Sequence, residues 1–115
     1  MNKDLTSAKL QLFVVDNDGK WTNTDLSVYR LSTNWNEGMG DTAPYGSLIG
    51  SQKGVTWGCS DSDSSCTTSW NGGLYSNSPT DSFPMNNNLN NQWIEFDVTD
   101  DVLAFMSGTE NNGWI

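Results

Sequence analysis

Apolar and polar side chains alternate over residues 7–15, with Ala8, Leu10, Leu12 and Val14 on one face and Lys9, Gln11, Phe13 and Val15 on the other. A period of two sends successive side chains to opposite sides of an extended chain, so the segment predicts a half-buried strand. Asp16-Asn17-Asp18-Gly19 follows as a turn, because Asp, Asn and Gly accept the backbone angles that a reversal needs. A second strand is predicted over 26–31, and the connection before it, too long for a tight hairpin, carries Trp21. Alternation returns over 93–98, where Ile94, Phe96 and Val98 share one face. The pattern then turns helical over 100–107. Thr99 stands at the N-cap position, Asp100 and Asp101 stand where the helix dipole favours negative charge, and Gly108 follows as a C-terminal cap. Residues 112–115 read as the opening of another strand.

Between residues 32 and 92 the text is mostly loop, with short strand candidates at 47–49 and 54–57. A loop that long in a small domain must be packed rather than free. Six aromatic residues (Trp35, Tyr45, Trp57, Trp70, Tyr75 and Phe83) and all three prolines supply the means. Residues 86–91, Asn-Asn-Asn-Leu-Asn-Asn, read as a solvated turn before the next strand. Asn, Ser, Thr and Gly make up 50 of the 115 residues, a composition of many turns and few helices. The length suits one domain, and the expected fold class is all-β: an antiparallel β-sandwich, jelly-roll-like, with one short helix near the C-terminus.

Charge and residue inventory remove several function classes. Five Lys and Arg stand against 14 Asp and Glu, a formal net charge of −9, and no basic cluster exists to meet phosphates. Nucleic acid is therefore not an expected partner, and neither is an anionic membrane surface. The longest apolar runs, at 12–15 and 102–106, are too short to cross a bilayer, so no membrane insertion is expected. With no histidine, the chain lacks Ser-His-Asp and Cys-His nucleophile activation and the usual zinc and copper ligand sets. Cys59 and Cys66 enclose six residues, a spacing that fits neither a zinc knuckle nor a redox pair. They read as a local disulfide worth about 2–3 kcal/mol, or as two free thiols. A disulfide places the protein in an oxidising setting, extracellular or at the cell surface.

Three segments occur in a familiar order: Thr6 to Leu12, Val28 to Gly38, and Trp93 to Thr99 running on to Asn111-Asn112-Gly113-Trp114. With Trp35-x-Glu37, Gly54-Val55-Thr56-Trp57 and Asp97-Val98-Thr99, the chain resembles the DNRLRE-type extracellular β-sandwich domains. These are related to disaggregatase-type repeats and to an alginate-binding family of carbohydrate-binding modules. The resemblance covers nearly the whole chain and rests on the order of motifs that are each weak. It implies a sandwich without edge strands at both ends, hence a fragment of a larger chain, a homo-oligomer, or a fold completed by a neighbour's strand. It also implies that Trp35, Trp57 and Trp93 are core residues. The Cys59–Cys66 loop is outside the family pattern.

The expected function is a non-catalytic extracellular module that attaches to a polysaccharide. Trp21, Trp70, Tyr75 and Tyr45 lie in loops rich in Asn, Asp and Ser and are the candidate ligand-binding residues. A polyuronate such as alginate fits poorly, since a −9 domain without a basic groove repels it. The alternative is a structural or adhesive surface or filament subunit that assembles by strand pairing with neighbouring chains. Calcium is a further candidate, because Asp16 and Asp18, and likewise Asp61 and Asp63, offer oxygen ligands at alternate positions. Neither pair has an EF-hand's terminal Glu, and a plain acidic turn explains both. Paired-carboxylate catalysis would have to draw on Glu37, Asp41, Glu95 and Asp97. Asp97 reads instead as part of the helix start, and no enzyme activity is expected.

Overall fold

The computed structural model describes residues 4–17, 23–37, 54–61, 65–86 and 89–115. They form four strands, β1 (Lys9–Val14), β2 (Thr24–Val28), β3 (Asp81–Met85) and β4 (Gln92–Asp97), and one helix, α1 (Thr99–Met106). β1 pairs antiparallel with β4, and β2 pairs antiparallel with β3. The described part is thus β-rich and antiparallel with one short helix, and no closed barrel is present in it. It divides into two compact units, residues up to Arg30 with Asn77–Asn111, and Leu31–Ser76 with Asn112–Ile115.

Among the described residues the first unit holds all the regular elements. Its core follows the alternation of β4, for Ile94 is 1%, Phe96 0% and the following Val98 3% exposed. Each such side chain contributes about 1.5–3 kcal/mol by leaving water. Phe83 of β3 meets Phe96 edge-on with ring centroids 6.3 Å apart. β3 lies where the sequence predicts loop. Pro84, opposite Asp25 in the register, removes a ladder donor and masks the strand pattern, yet it is tolerated in a strand whose only described partner is β2. β2 starts two residues and ends three residues before its expected span, and Leu31 instead bridges Tyr75 in the second unit.

The described residues of the asparagine-rich segment, 86 and 89–91, are structural rather than merely solvated. Asn17 donates its backbone N–H to Asn90 Oδ1 (2.6 Å) and its amide Nδ2–H to the Asn86 carbonyl, while Asn91 N–H donates to the Val15 carbonyl (3.3 Å). Leu89 is buried within this segment. These bonds close the end of the β1–β4 ladder.

Helix α1 starts one residue earlier than expected, and Thr99 is not its cap. Asp97 Oδ1 accepts both the backbone N–H (3.0 Å) and the hydroxyl of Thr99. Thr99 Oγ1 in turn accepts the N–H of Ala8 (3.0 Å), fastening the helix to the residue before β1. The first-turn Asp101 receives the Thr80 hydroxyl and an ion pair from Arg30 at 3.6 Å. At the far end Gly108 takes φ +110°, as a C-terminal cap requires.

The second unit has no named strand among its described residues. Isolated bridges (Leu31 to Tyr75, Thr56 to Cys59, Cys59 to Ser69) and the Cys59–Cys66 disulfide stand in their place. The strand candidate at 54–57 resolves into a tight reversal. Thr56 N–H donates to the Cys59 carbonyl (2.8 Å) and Cys59 N–H donates back to the Thr56 carbonyl (3.2 Å). The candidate at 47–49 lies outside the described residues. The disulfide is consistent with a non-reducing environment, and no described helix is long and apolar enough to cross a membrane.

Candidate functional site

The Thr56–Cys59 reversal carries Trp57 at its tip, 74% exposed. Two contacts hold the ring. Its Nε1–H donates to Asn71 Oδ1 at 2.7 Å, and its six-membered edge lies against the backbone of Gly72. A β-carbon built at Gly72 would sit 2.7 Å from the ring, and Gly72 also adopts φ +80°, so glycine is required twice over. Gly72 N–H returns a bond to the Trp57 carbonyl at 2.7 Å.

Neighbouring indoles are fixed in the same manner. Trp70 Nε1–H donates to the Thr56 carbonyl (2.9 Å) and Trp35 Nε1–H to the Asn112 carbonyl (2.7 Å). Trp35, Trp57, Trp70 and Trp114 together line an open groove of about 340 Å³, completed by Leu31, Val55, Thr56, Gly72, Gly73 and Ile115. No charged side chain is among the lining residues. The indole N–H groups of Trp35, Trp57 and Trp70 are bonded to protein, which orients these rings along the groove. Such a groove can stack a planar group or the C–H face of a sugar ring.

Of the residues expected to bind ligand, Trp70 lines this groove. Tyr75 is exposed in the same unit and bridges Leu31, without lining it. Trp21 and Tyr45 lie outside the described residues. The expectation of core positions for Trp35, Trp57 and Trp93 is corrected: all three are exposed, Trp93 by 63%. The missed groove residues carried a signal. Asn34 and Asn36 flank Trp35, Thr56 and Gly58 flank Trp57, and Gly113 precedes Trp114, so none of the three belongs to an apolar run of any length.

Among the described residues the acidic candidates share no common site. Asp18, Asp63 and Asp41 lie outside the described residues. Asp16 borders a hollow of about 250 Å³ with Asp25 and Met85 in the first unit. In the second unit Asp61 Oδ2 accepts the Asn36 amide at 3.3 Å. Among the described residues no group of three or more Asp, Glu, Cys or His side chains is placed to hold a metal ion. Glu37 is exposed, and Glu95 accepts the Gln11 side-chain amide at 2.6 Å. Asp97 is occupied by the helix start. The Thr99 hydroxyl bond, then the Thr99 backbone bond and the nearby Lys9, hold its carboxyl below the ordinary value.

Comparison of the chain with protein-family models, curated proteins and solved structures gave no match.

Proposed function

We propose that this protein is a non-catalytic extracellular carbohydrate-binding module, built as a jelly-roll-like β-sandwich, that attaches to a neutral polysaccharide through the four-tryptophan groove. The observation that carries this reading is the orientation of exposed indoles by bonds from their own N–H groups. Loop aromatics that serve only packing bury their faces, whereas Trp57 is held in place and left open. The preference for a neutral ligand follows from the uncharged lining and the net charge of −9, both unfavourable to a polyuronate. The disulfide supports a place outside the reducing cytoplasm.

The test is electrophoresis of the native protein through gels containing β-glucan, mannan, xylan or alginate. Retardation by at least one neutral polymer and none by alginate is expected. Free migration in every neutral gel would overturn the reading.

A further inference from the structure

The outward face of the β1–β4 ladder carries three cross-strand pairs in register: Phe13 with Trp93, Gln11 with Glu95, and Lys9 with Asp97. Each pair interacts in its own way. The rings meet edge-on with centroids 5.2 Å apart, the Gln11 amide donates to Glu95 Oε1 at 2.6 Å, and Lys9 lies 3.6 Å from Asp97. Cross-strand pairing of this kind stabilises a sheet face. It does not account for the amount of ring left in water, with Phe13 45% and Trp93 63% exposed.

We propose that this face is a second glycan platform, sharing no residue with the tryptophan groove, on which Trp93 and Phe13 stack one neutral pyranose while Gln11 and Glu95 bond its hydroxyls. Chemistry selects this occupant. A sugar ring presents an apolar C–H face and a polar rim, and here two rings stand one register step from an amide–carboxylate pair. Their mutual bond uses one Gln11 hydrogen and one Glu95 oxygen, leaving the second amide hydrogen, Gln11 Oε1 and Glu95 Oε2 to read hydroxyl groups. Lys9 is already matched by Asp97, so Glu95 leaves the face slightly negative and disfavours an anionic ligand. A second copy of the chain fits poorly. A two-fold contact across this face would bring Glu95 toward its own counterpart, and like charges opposed across such a contact are destabilising.

The experiment follows the indole N–H signals of the ¹⁵N-labelled protein while β-1,4-linked hexasaccharides of glucose, mannose and xylose are added to millimolar concentration. The Trp93 signal is identified by its disappearance in Trp93→Phe. A saturable shift of that signal with at least one hexasaccharide is expected, both in the natural sequence and in Trp57→Ala, with affinity about tenfold weaker in Gln11→Ala. Since Trp93, Phe13 and Gln11 are solvent-facing, these variants keep the Ile94–Phe96 core. A Trp93 signal unmoved by all three sugars overturns the proposal. So does a shift that vanishes in Trp57→Ala, or one driven by protein concentration alone, which would assign the face to self-association. If the groove indoles stay still while Trp93 moves, the platform stands and the groove reading fails.

Discussion

The two units order a chain that is poor in aliphatic side chains by opposite means. Around β4 one face is directed inward, where Val28, Leu89, Ile94, Phe96 and Val98 are all buried, while Phe13 and Trp93 stand exposed on the other face of the ladder. In the other unit Leu31 and Cys59 are the buried apolar side chains among the described residues. Its larger rings line an open groove instead, and order comes from backbone bonds such as Ser32 N–H to the Leu74 carbonyl (2.8 Å), a disulfide and bonded indole N–H groups. Order obtained through hydrogen bonds and a covalent link leaves aromatic faces unburied. The second unit is therefore suited to hold rigid rings for a ligand, at the expense of the stability that burying them would give.

The most severe way to break this comparison is Phe96→Ala. Deleting a fully buried ring in contact with Phe83 should cost about 3–5 kcal/mol, read from denaturant unfolding. An equal loss from the exposed Trp93→Ala would erase the distinction between inward and outward rings. Next comes replacement of both Cys59 and Cys66 by Ser, expected to cost about 2–3 kcal/mol. Its amide-exchange signature should be concentrated at Thr56 to Trp70 and leave β1 and β4 protected. Loss of protection spread evenly over the ladder would contradict the assignment of the disulfide to the groove's framework.

Gly72→Ala sharpens the comparison at one residue. A β-carbon in a left-handed conformation, set against the Trp57 ring, should cost about 1–3 kcal/mol and displace that indole, altering tryptophan fluorescence. The smallest expected effect belongs to Asp97 in the first unit. Its carboxyl lies below the ordinary 3.8 when folded, through the bonds from Thr99 and then the charge of Lys9. The stabilisation is therefore complete above the unfolded pKa and is lost as pH falls through the lowered folded value. Asp97→Asn should remove this part of the acid sensitivity, seen as a thermal midpoint that declines less steeply at low pH, with no change near neutrality in its pH slope.

How much of this was legible beforehand follows the same division. The inward face of β4 is readable because a period-two pattern reports packing directly, and Ile94, Phe96 and Val98 are buried as expected; β1 and α1 stand close to their expected places, but Leu12 is 42% exposed and α1 buries no residue fully. The cysteine spacing led to the disulfide that the structure contains. Pro84 hides β3, and Thr99 reads as the helix cap by its residue type and place, while its actual bond to Asp97 two residues upstream is one that periodicity does not register. The groove was only partly legible. Its polar loop marks Trp70 as a ligand candidate, but the family resemblance points Trp35 and Trp57 to the core, since such a pattern reports position and not exposure. No local pattern brings residues 35, 57, 70 and 114 together; that depends on the long-range bonds from Trp35 to Asn112 and from Leu31 to Gly113.

The most direct measurement is calorimetric titration of the natural protein and Trp57→Ala with the neutral polysaccharide that retards the protein in gels. Trp57 is exposed, so its removal should leave the fold intact while weakening binding at least about tenfold, or roughly 1.4 kcal/mol. Unchanged affinity in a folded Trp57→Ala protein would contradict the assignment of the groove as the glycan site.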